Sequence, residues 1–244
     1  MTEFLMPDWP APANIHAYSS TRGEGFSEPP FDSFNLASHV GDHEADVLRN
    51  RQQLFQQLNL PVEPLWLEQV HGIGVLEVAT GNAACVGDAA FAQEASQVCA
   101  VMTADCLPVL FCDRQGQTVA AAHAGWRGLL AGVLESTLDA MACETEDILA
   151  WMGPAIGPDN FEVGEEVYQA FVQQSADSAA AFKAHRPGHY LADIYQLARL
   201  RLQSRGVNQI YGGDRCTFQE QDRFFSFRRE GQTGRMVSLI WREP

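Results

Sequence analysis

One stretch, ADCLPVLFCDRQGQTVAAAHAG (Ala104–Gly125), restricts the fold more than any other. Two apolar runs flank Asp113-Arg114-Gln115-Gly116, and Asp at the first position with Gly at the fourth fits a type I turn. The chain doubles back there as an antiparallel hairpin. The small side chains of Ala120–Ala122 fit a strand whose neighbours approach closely. If Asp113 pairs with Gly116, the same register sets Cys106 directly across from His123 at the open end of the hairpin, with Cβ atoms about 5 Å apart. A bulge at Gly116 would move that pairing by one residue.

The flanking pattern places this hairpin in a larger sheet. Ile15–Ser20, LWLEQVHG, GVLEV, QVCAVM, DILAWMG, NQIYGG, RFFSFRR and RMVSLIW read as strands. Helical spacing marks Glu44–Gln57, Leu129–Cys143, VGEEVYQAFVQQ and Asp193–Ser204, the last capped by Asp193 and stopped by Gly206. Thr21–His43 and Gln173–His189 read as long loops. Strands outnumber helices and often adjoin one another, which suggests an α+β fold with a mixed sheet and helices packed outside it. Neither an internal repeat nor a low-complexity linker divides the chain, so residues 1–244 are expected to form one domain.

Charge and cysteine usage narrow the function. A formal net charge of −15 argues against nucleic-acid partners, which need a basic face. With no apolar run of about twenty residues there is no membrane span to expect, and the N-terminus does not read as a secretory signal. The six cysteines form no C-x-x-C pair. The expectation is a cytoplasmic protein, monomer or weak homodimer, whose partner is a small molecule.

A thiol beside an imidazole suits two chemistries. It can contribute to a metal site, or form a nucleophilic Cys–His pair in which the histidine lowers the thiol pKa. It can also be a buried cysteine near a satisfied histidine. His71, in WLEQVHG, likewise ends a strand before a glycine, so His71, Cys106 and His123 make a His/Cys/His set. Three protein ligands leave one position open, which is the catalytic zinc pattern rather than the structural one. Cys99 and Cys112 are the alternatives for a fourth ligand and read better as buried residues. His16 reads as structural, His43, His185 and His189 as surface residues, and His39 stays open. Past His123 the chain runs through Gly125-Trp126-Arg127-Gly128 into a helix, whose N-terminus with Arg127 could seat a phosphate or carboxylate. STRGEGFS and Asn35 could form a lid, and SFRRE adds two arginines of unknown facing.

STRGEGFS, FNLASHVGD, WLEQVHG, VMTADCLPVLF, AAAHAGWRG, GPAIG, FEVG, GGDRCT and FFSFRRE followed by TGR occur in order along nearly the whole chain. The sequence closely resembles the bacterial YfiH, or peptidoglycan editing factor, family, to which a human laccase-domain-containing protein also belongs. The resemblance implies an α+β fold, a mixed β-sandwich core with helices packed on the outside in three layers. It implies a zinc site, and catalytic centre, at His71, Cys106 and His123, with copper also compatible with such ligands. It implies a purine nucleoside phosphorylase that also deaminates adenosine and cleaves methylthioadenosine. Zinc would lower the pKa of bound water to about 7 for attack on C6. For phosphorolysis, Arg127, with Arg22 as second candidate, would neutralise the phosphate, Asn35 would orient the sugar or base, and Asp105 would orient a ligand. Two rivals are an amidohydrolase editing peptidoglycan precursors, with a metal or Cys106 as its agent, and a copper-dependent polyphenol oxidase. The older family label is multicopper polyphenol oxidase. A chain with no H-x-H pair cannot build a multicopper cluster of that kind. A non-enzymatic binding role with structural zinc would need a closed, four-ligand site. The family's R-x-G-G is Arg22-Gly23-Glu24-Gly25 in this chain.

Overall fold

Every residue of Leu107–Asp113 and of Val119–Ala124 is buried, so both faces of the hairpin are covered. The computed structural model describes residues 3–78 and 85–244. Its strands are β1 (Phe4–Leu5), β2 (Ile15–Ser20), β3 (Val75–Glu77), β4 (Ala89–Ala92), β5 (Cys99–Thr103), β6 (Leu107–Asp113), β7 (Val119–Ala124), β8 (Ile148–Met152), β9 (Glu162–Gly164), β10 (Phe182–Arg186), β11 (His189–Ala192), β12 (Gln209–Gly212) and β13 (Met236–Arg242). The helices are α1 (Glu44–Leu58), α2 (Trp126–Ala131), α3 (Val133–Met141), α4 (Glu165–Gln174), α5 (Ile194–Ser204) and α6 (Phe227–Glu230). No helix among the described residues is long and apolar enough to cross a membrane.

A six-stranded sheet runs β12-β8-β6-β7-β4-β3, and a four-stranded sheet runs β1-β2-β13-β5. The larger sheet is mixed, because β12 pairs parallel to β8 and β3 parallel to β4 while the central pairs are antiparallel. The two sheets face each other across Val101, Ile240, Leu110, Val119 and Ala121. β5 and β7 come within 8 Å, Cα to Cα, closer than the usual sheet spacing of about 10 Å. Alanines on β7 permit that approach. Alternate alanines, Ala120, Ala122 and Ala124, point to the other face and pack with Leu129, Val133, Leu134 and Leu197 of the helical cover. The two sheets and their helical layer match the expected architecture, and α1 with residues 34–37 covers the remaining face through Leu54, Phe34 and Leu36.

Several local expectations change. The segment around LWLEQVHG makes only isolated bridges, Leu65 to Cys99 and Glu68 to Val86, so His71 does not end a strand. Leu129–Cys143 is not one helix, because Gly132 at φ 106° breaks it into α2 and α3. The stretch 173–189 is not a loop: a 3-10 helix (Ala176–Ala181) leads into the β10–β11 hairpin. RFFSFRR is not a strand but leads into the short α6, capped by Ser226, whose hydroxyl accepts from the Arg229 amide. Asp193 does cap α5, its carboxylate accepting from the Gln196 amide at 2.9 Å.

The register of the β6–β7 hairpin is offset by two from the turn arithmetic. Asp113 accepts from Gly116 in the turn, but the ladder closes with the Asp113 amide donating to the Thr118 carbonyl, and Pro108, not Cys106, lies opposite His123. A slip of one would have turned Cys106 to the other face, whereas a slip of two preserves the face. Carried past the end of β6, the register sets Cys106 opposite Gly125, diagonal to His123.

The loop after β8, which forms one lip of the site below, is tied down by Tyr195. Its buried hydroxyl accepts from the Ala155 amide at 2.7 Å and donates to the Arg215 carbonyl at 2.8 Å. Tyr195→Phe leaves a buried amide without its partner and should destabilise the fold by about 1–3 kcal/mol, read as a lower urea midpoint at unchanged m-value.

Candidate metal centre and its cavity

Three elements bring one candidate ligand each to a common point. His123 closes β7, Cys106 stands in the bend between β5 and β6, and His71 sits in the loop before β3. Their ligand atoms lie within 4.8 Å of one another. The Cys106 sulfur is 3.8 Å from His71 Nε2, and the two imidazoles meet edge to face with centroids 4.8 Å apart. Tetrahedral ligands at about 2.0–2.3 Å from zinc stand roughly 3.3–3.8 Å apart, so the set needs little closure to hold an ion. It runs from exposed His71 through half-buried Cys106 to buried His123.

The organising group is Asp88, which the sequence reading missed. β4 pairs with β7 from Ala89 opposite Ala122, which sets Asp88 beside His123. Its carbonyl accepts from the His123 amide at 2.7 Å and its carboxylate meets His123 Nδ1 at 2.8 Å. That contact turns Nε2 toward the other two ligands. The same carboxylate accepts from the amides of His71 at 2.9 Å, Gly72 at 2.6 Å and Val70 at 3.2 Å. It thereby holds His71 in the left-handed region at φ 60°. Burial opposes the Asp88 charge, but the bonds from His123, Gly72 and His71 outweigh it and hold the carboxyl below its ordinary value.

Asp105, expected to orient a ligand, meets neither histidine and acts on the bend that carries Cys106. Its carboxylate accepts from the Thr217 hydroxyl at 2.6 Å and from the Arg228 amide at 2.7 Å, so it joins the Cys106 bend to α6. Gly125 leaves the ligands room: a Cβ there would stand 2.8 Å from His71 Cδ2 and 3.0 Å from the Cys106 sulfur. Gly128 has a similar duty, since its Cβ would meet the Gly72 carbonyl at 2.9 Å. The glycines flanking Arg127 therefore serve close packing around the ligands.

Burial disfavours the Cys106 thiolate, yet His123 and His71 beside it bring the thiol well below its ordinary value. The thiolate and Asp88 in turn raise His123 against its burial. Cys99 and Cys112 lie in the sandwich core, where burial pushes both thiols up. Neither joins the three ligands.

A cavity of about 470 Å³ opens over the trio. Trp126, Phe161 and Phe227 supply aromatic wall, and Arg127, Arg228 and Arg235 supply charge. Each arginine lies over one of those rings, Arg127 on Trp126 at 4.3 Å, Arg228 on Phe161 at 5.6 Å and Arg235 on Phe227 at 5.8 Å. Of the two SFRRE arginines only Arg228 faces the cavity; Arg229 binds the carbonyls of Thr217, Phe218 and Phe224. His39 lines the cavity too.

Two expected substrate contacts fall elsewhere. Arg22 pairs with Glu230 at 2.7 Å and Asp32 at 3.4 Å, in a separate polar cleft. Asn35 is fully buried; its side chain holds the Ala37 carbonyl and Asp42 and accepts from the Arg235 amide. Asn35 thus acts on the cavity through Arg235 and through the loop that carries His39, and the lid expected of residues 20–27 with Asn35 does not line it.

Residues 16–243 match the family of multi-copper polyphenol oxidoreductase laccase proteins, and the chain belongs to that family. It is 57% identical to an Escherichia coli protein named purine nucleoside phosphorylase YfiH, over 99% of each chain. A Pseudomonas aeruginosa protein of the same activity name is 50% identical, again over 99% of each. Among solved structures, a Neisseria meningitidis protein superposes with a TM-score of 0.95 at 49% identity, covering 99% of both chains. YlmD from Geobacillus stearothermophilus gives 0.89 at 35% identity, covering 99% of this chain and 96% of its own.

Asp88→Asn weakens the anchor of His123 and of the His71 loop together. Zinc affinity should fall about 10–100-fold, measured by competition with a chromogenic chelator. In the metal-stripped protein, iodoacetamide should modify Cys106 with a midpoint well below the ordinary thiol value of about 8.5, and added zinc should protect it.

Proposed function

We propose that this chain is a zinc-dependent purine nucleoside phosphorylase, with adenosine deaminase and methylthioadenosine phosphorylase activity in the same cavity. The observation that carries the reading is the placement of a two-nitrogen, one-sulfur ligand set under a cavity that combines aromatic walls with three arginines. The names of the relatives supply the reaction class.

The donor set fits zinc: borderline nitrogen and sulfur ligands, three in number, one position open. Zinc held there would supply Lewis acidity and lower the pKa of water to about 7. The chain's own residues do the rest. The rings of Trp126, Phe161 and Phe227 offer faces for a flat purine, and the apolar wall keeps bulk water from the sugar. The arginines compensate the charge of phosphate as it approaches the anomeric carbon. Asp88 fixes the imidazole of His123, so the ligands stay in place through the cycle.

Copper in a multinuclear cluster does not fit. The trio is the one such ligand group among the described residues, and the sequence has no H-x-H. A second reading has one observation in its favour: the lowered Cys106 thiol beside His123 is the arrangement a thiol amidohydrolase acting on cell-wall precursors would need.

Cys106→Ala should lose zinc and more than about a hundredfold in inosine phosphorolysis, since even outer-shell losses cost about 10–100-fold. Full metal occupancy with undiminished turnover in that variant would end the zinc reading. Chelation separates the rivals: the phosphorylase should lose activity and regain it with zinc, whereas a thiol amidohydrolase should keep its activity.

A further inference from the structure

The chain carries almost twice as many carboxylates as cationic side chains, 31 against 16. Other arginines accordingly find acids: Arg186 pairs with Glu162, Arg205 with Asp139 and Arg223 with Glu3. Arg127, Arg228 and Arg235 make no ion pair among the described residues, although all three line one cavity. They are not equivalent. Arg127 is exposed and rests only on Trp126. Arg228 spends Nη1 on the Glu162 carbonyl. Arg235 is half-buried, and its Nη1 is clamped by the carbonyls of Thr233 at 2.8 Å and Gly234 at 3.0 Å. That clamp fixes the guanidinium plane, while Nε and Nη2 have no hydrogen bond among the described residues.

A second donor belongs to a residue that lines the same cavity. Thr103 pairs with Met236 across β5 and β13, next to Arg235 in the chain. Thr103 is 2% exposed and lines the cavity, and its hydroxyl is a buried polar atom with no hydrogen-bond partner. Buried hydroxyls are normally satisfied, so the Thr103 hydroxyl has an unused donor. His39 reaches the same cavity from the loop that Asn35 organises. Burial, then Arg235 and Arg51, hold His39 below its ordinary value, so it meets a ligand as a neutral imidazole with one N–H.

We propose that Arg235, Thr103 and His39 form an oxyanion subsite on the β5–β13 side of the cavity, and that it seats inorganic phosphate. A guanidinium edge with two parallel N–H groups matches two oxygens of a tetrahedral anion, and a hydroxyl and an imidazole complete the donor set. Naming the anion as the co-substrate rests on the phosphorylase reading; the donor set itself does not. The subsite replaces the start of α2, a six-residue helix, as the phosphate position.

The test uses the zinc-loaded full-length chain and inorganic phosphate, with sulfate as competitor. Calorimetric titration without nucleoside reads the subsite, and phosphate and inosine KM values read its use. Arg235→Gln, Thr103→Val and His39→Gln should each weaken phosphate, by about tenfold or more for the arginine, with inosine KM little changed. Thr103→Val is nearly isosteric and His39 is on the surface, so these two test the site even if Arg235→Gln misfolds. Unmoved phosphate affinity in both, or a loss carried by Arg127→Gln instead, overturns the subsite. Phosphorolysis that proceeds with unmoved phosphate KM in the variants also sinks the subsite and leaves the phosphorylase reading standing. Phosphate binding that the variants weaken, in a protein that cleaves no nucleoside with phosphate, keeps the subsite and removes the phosphorylase reading.

Discussion

The carboxylate of Asp88 is the contact on which the site depends. It is fully buried, and an unpaired carboxylate in such a place would cost several kcal/mol. Four donors offset that cost: the His123 ring and the amides of Val70, His71 and Gly72. The arrangement is reciprocal. The donors keep the acid ionised, and the acid keeps a strand residue and a loop residue in fixed relation. His71 occupies a backbone region that a non-glycine residue visits at a cost of about 1–3 kcal/mol. Gln69 ties the loop to Met102 on one side and the Gly74 carbonyl ties it to Asp88 and Ala89 on the other, while the amide of His71 itself rests on the carboxylate. A ligand on an irregular segment can therefore be placed as firmly as one on β7.

Close packing then determines which residues can surround the ligands. Gly125 lies where β7 turns into α2, opposite Cys106 in the continued register, and any side chain there would occupy the space of the sulfur and the His71 ring. Gly128 lets α2 press against the His71 loop. A glycine-rich turn from strand to helix is also what a phosphate-binding loop looks like in sequence. The clearances decide between the two meanings here, because both glycines face protein atoms at contact distance.

The hairpin, most of the long strands and three of the helices were legible in the sequence because their apolar period was strong. Cys106 and His123 were legible together for a different reason: the turn fixed the face of one relative to the other, and a two-residue slip could not undo that parity, whereas His71 was marked by a strand end that the fold does not contain. What stayed hidden depended on contacts between distant segments. Asp88 follows a glycine just before a short alanine-rich strand, and only the pairing of β4 with β7 reveals its partner. Arg22 and Asn35 carry polar groups in a glycine-rich loop, a pattern shared by lids and by buried braces. Their burial and their partners, Glu230 for one and Asp42 for the other, mark braces. Phe227 and Arg228 read as strand because aromatics favour strands; Ser226 and the Asp105 carboxylate turn them into a short helix instead.

The acidic surface and the arginine-lined cavity are two parts of one electrostatic design. A net charge of −15 repels a phosphate at long range, yet salt at physiological strength screens such exposed charge beyond about 8 Å. Inside the cavity the balance reverses. Arg127, Arg228 and Arg235 are supported by the faces of Trp126, Phe161 and Phe227, not by carboxylates. A ring quadrupole steadies a guanidinium without cancelling its charge. Had acids been recruited as braces, as at Arg22 and Arg223, an incoming anion would have had to displace them. Aromatic support leaves the positive charge available and at the same time builds the wall against which a flat ring can lie. One set of three Arg–aromatic pairs thus gives the cavity both a planar apolar wall and a positive charge that no acid among the described residues neutralises.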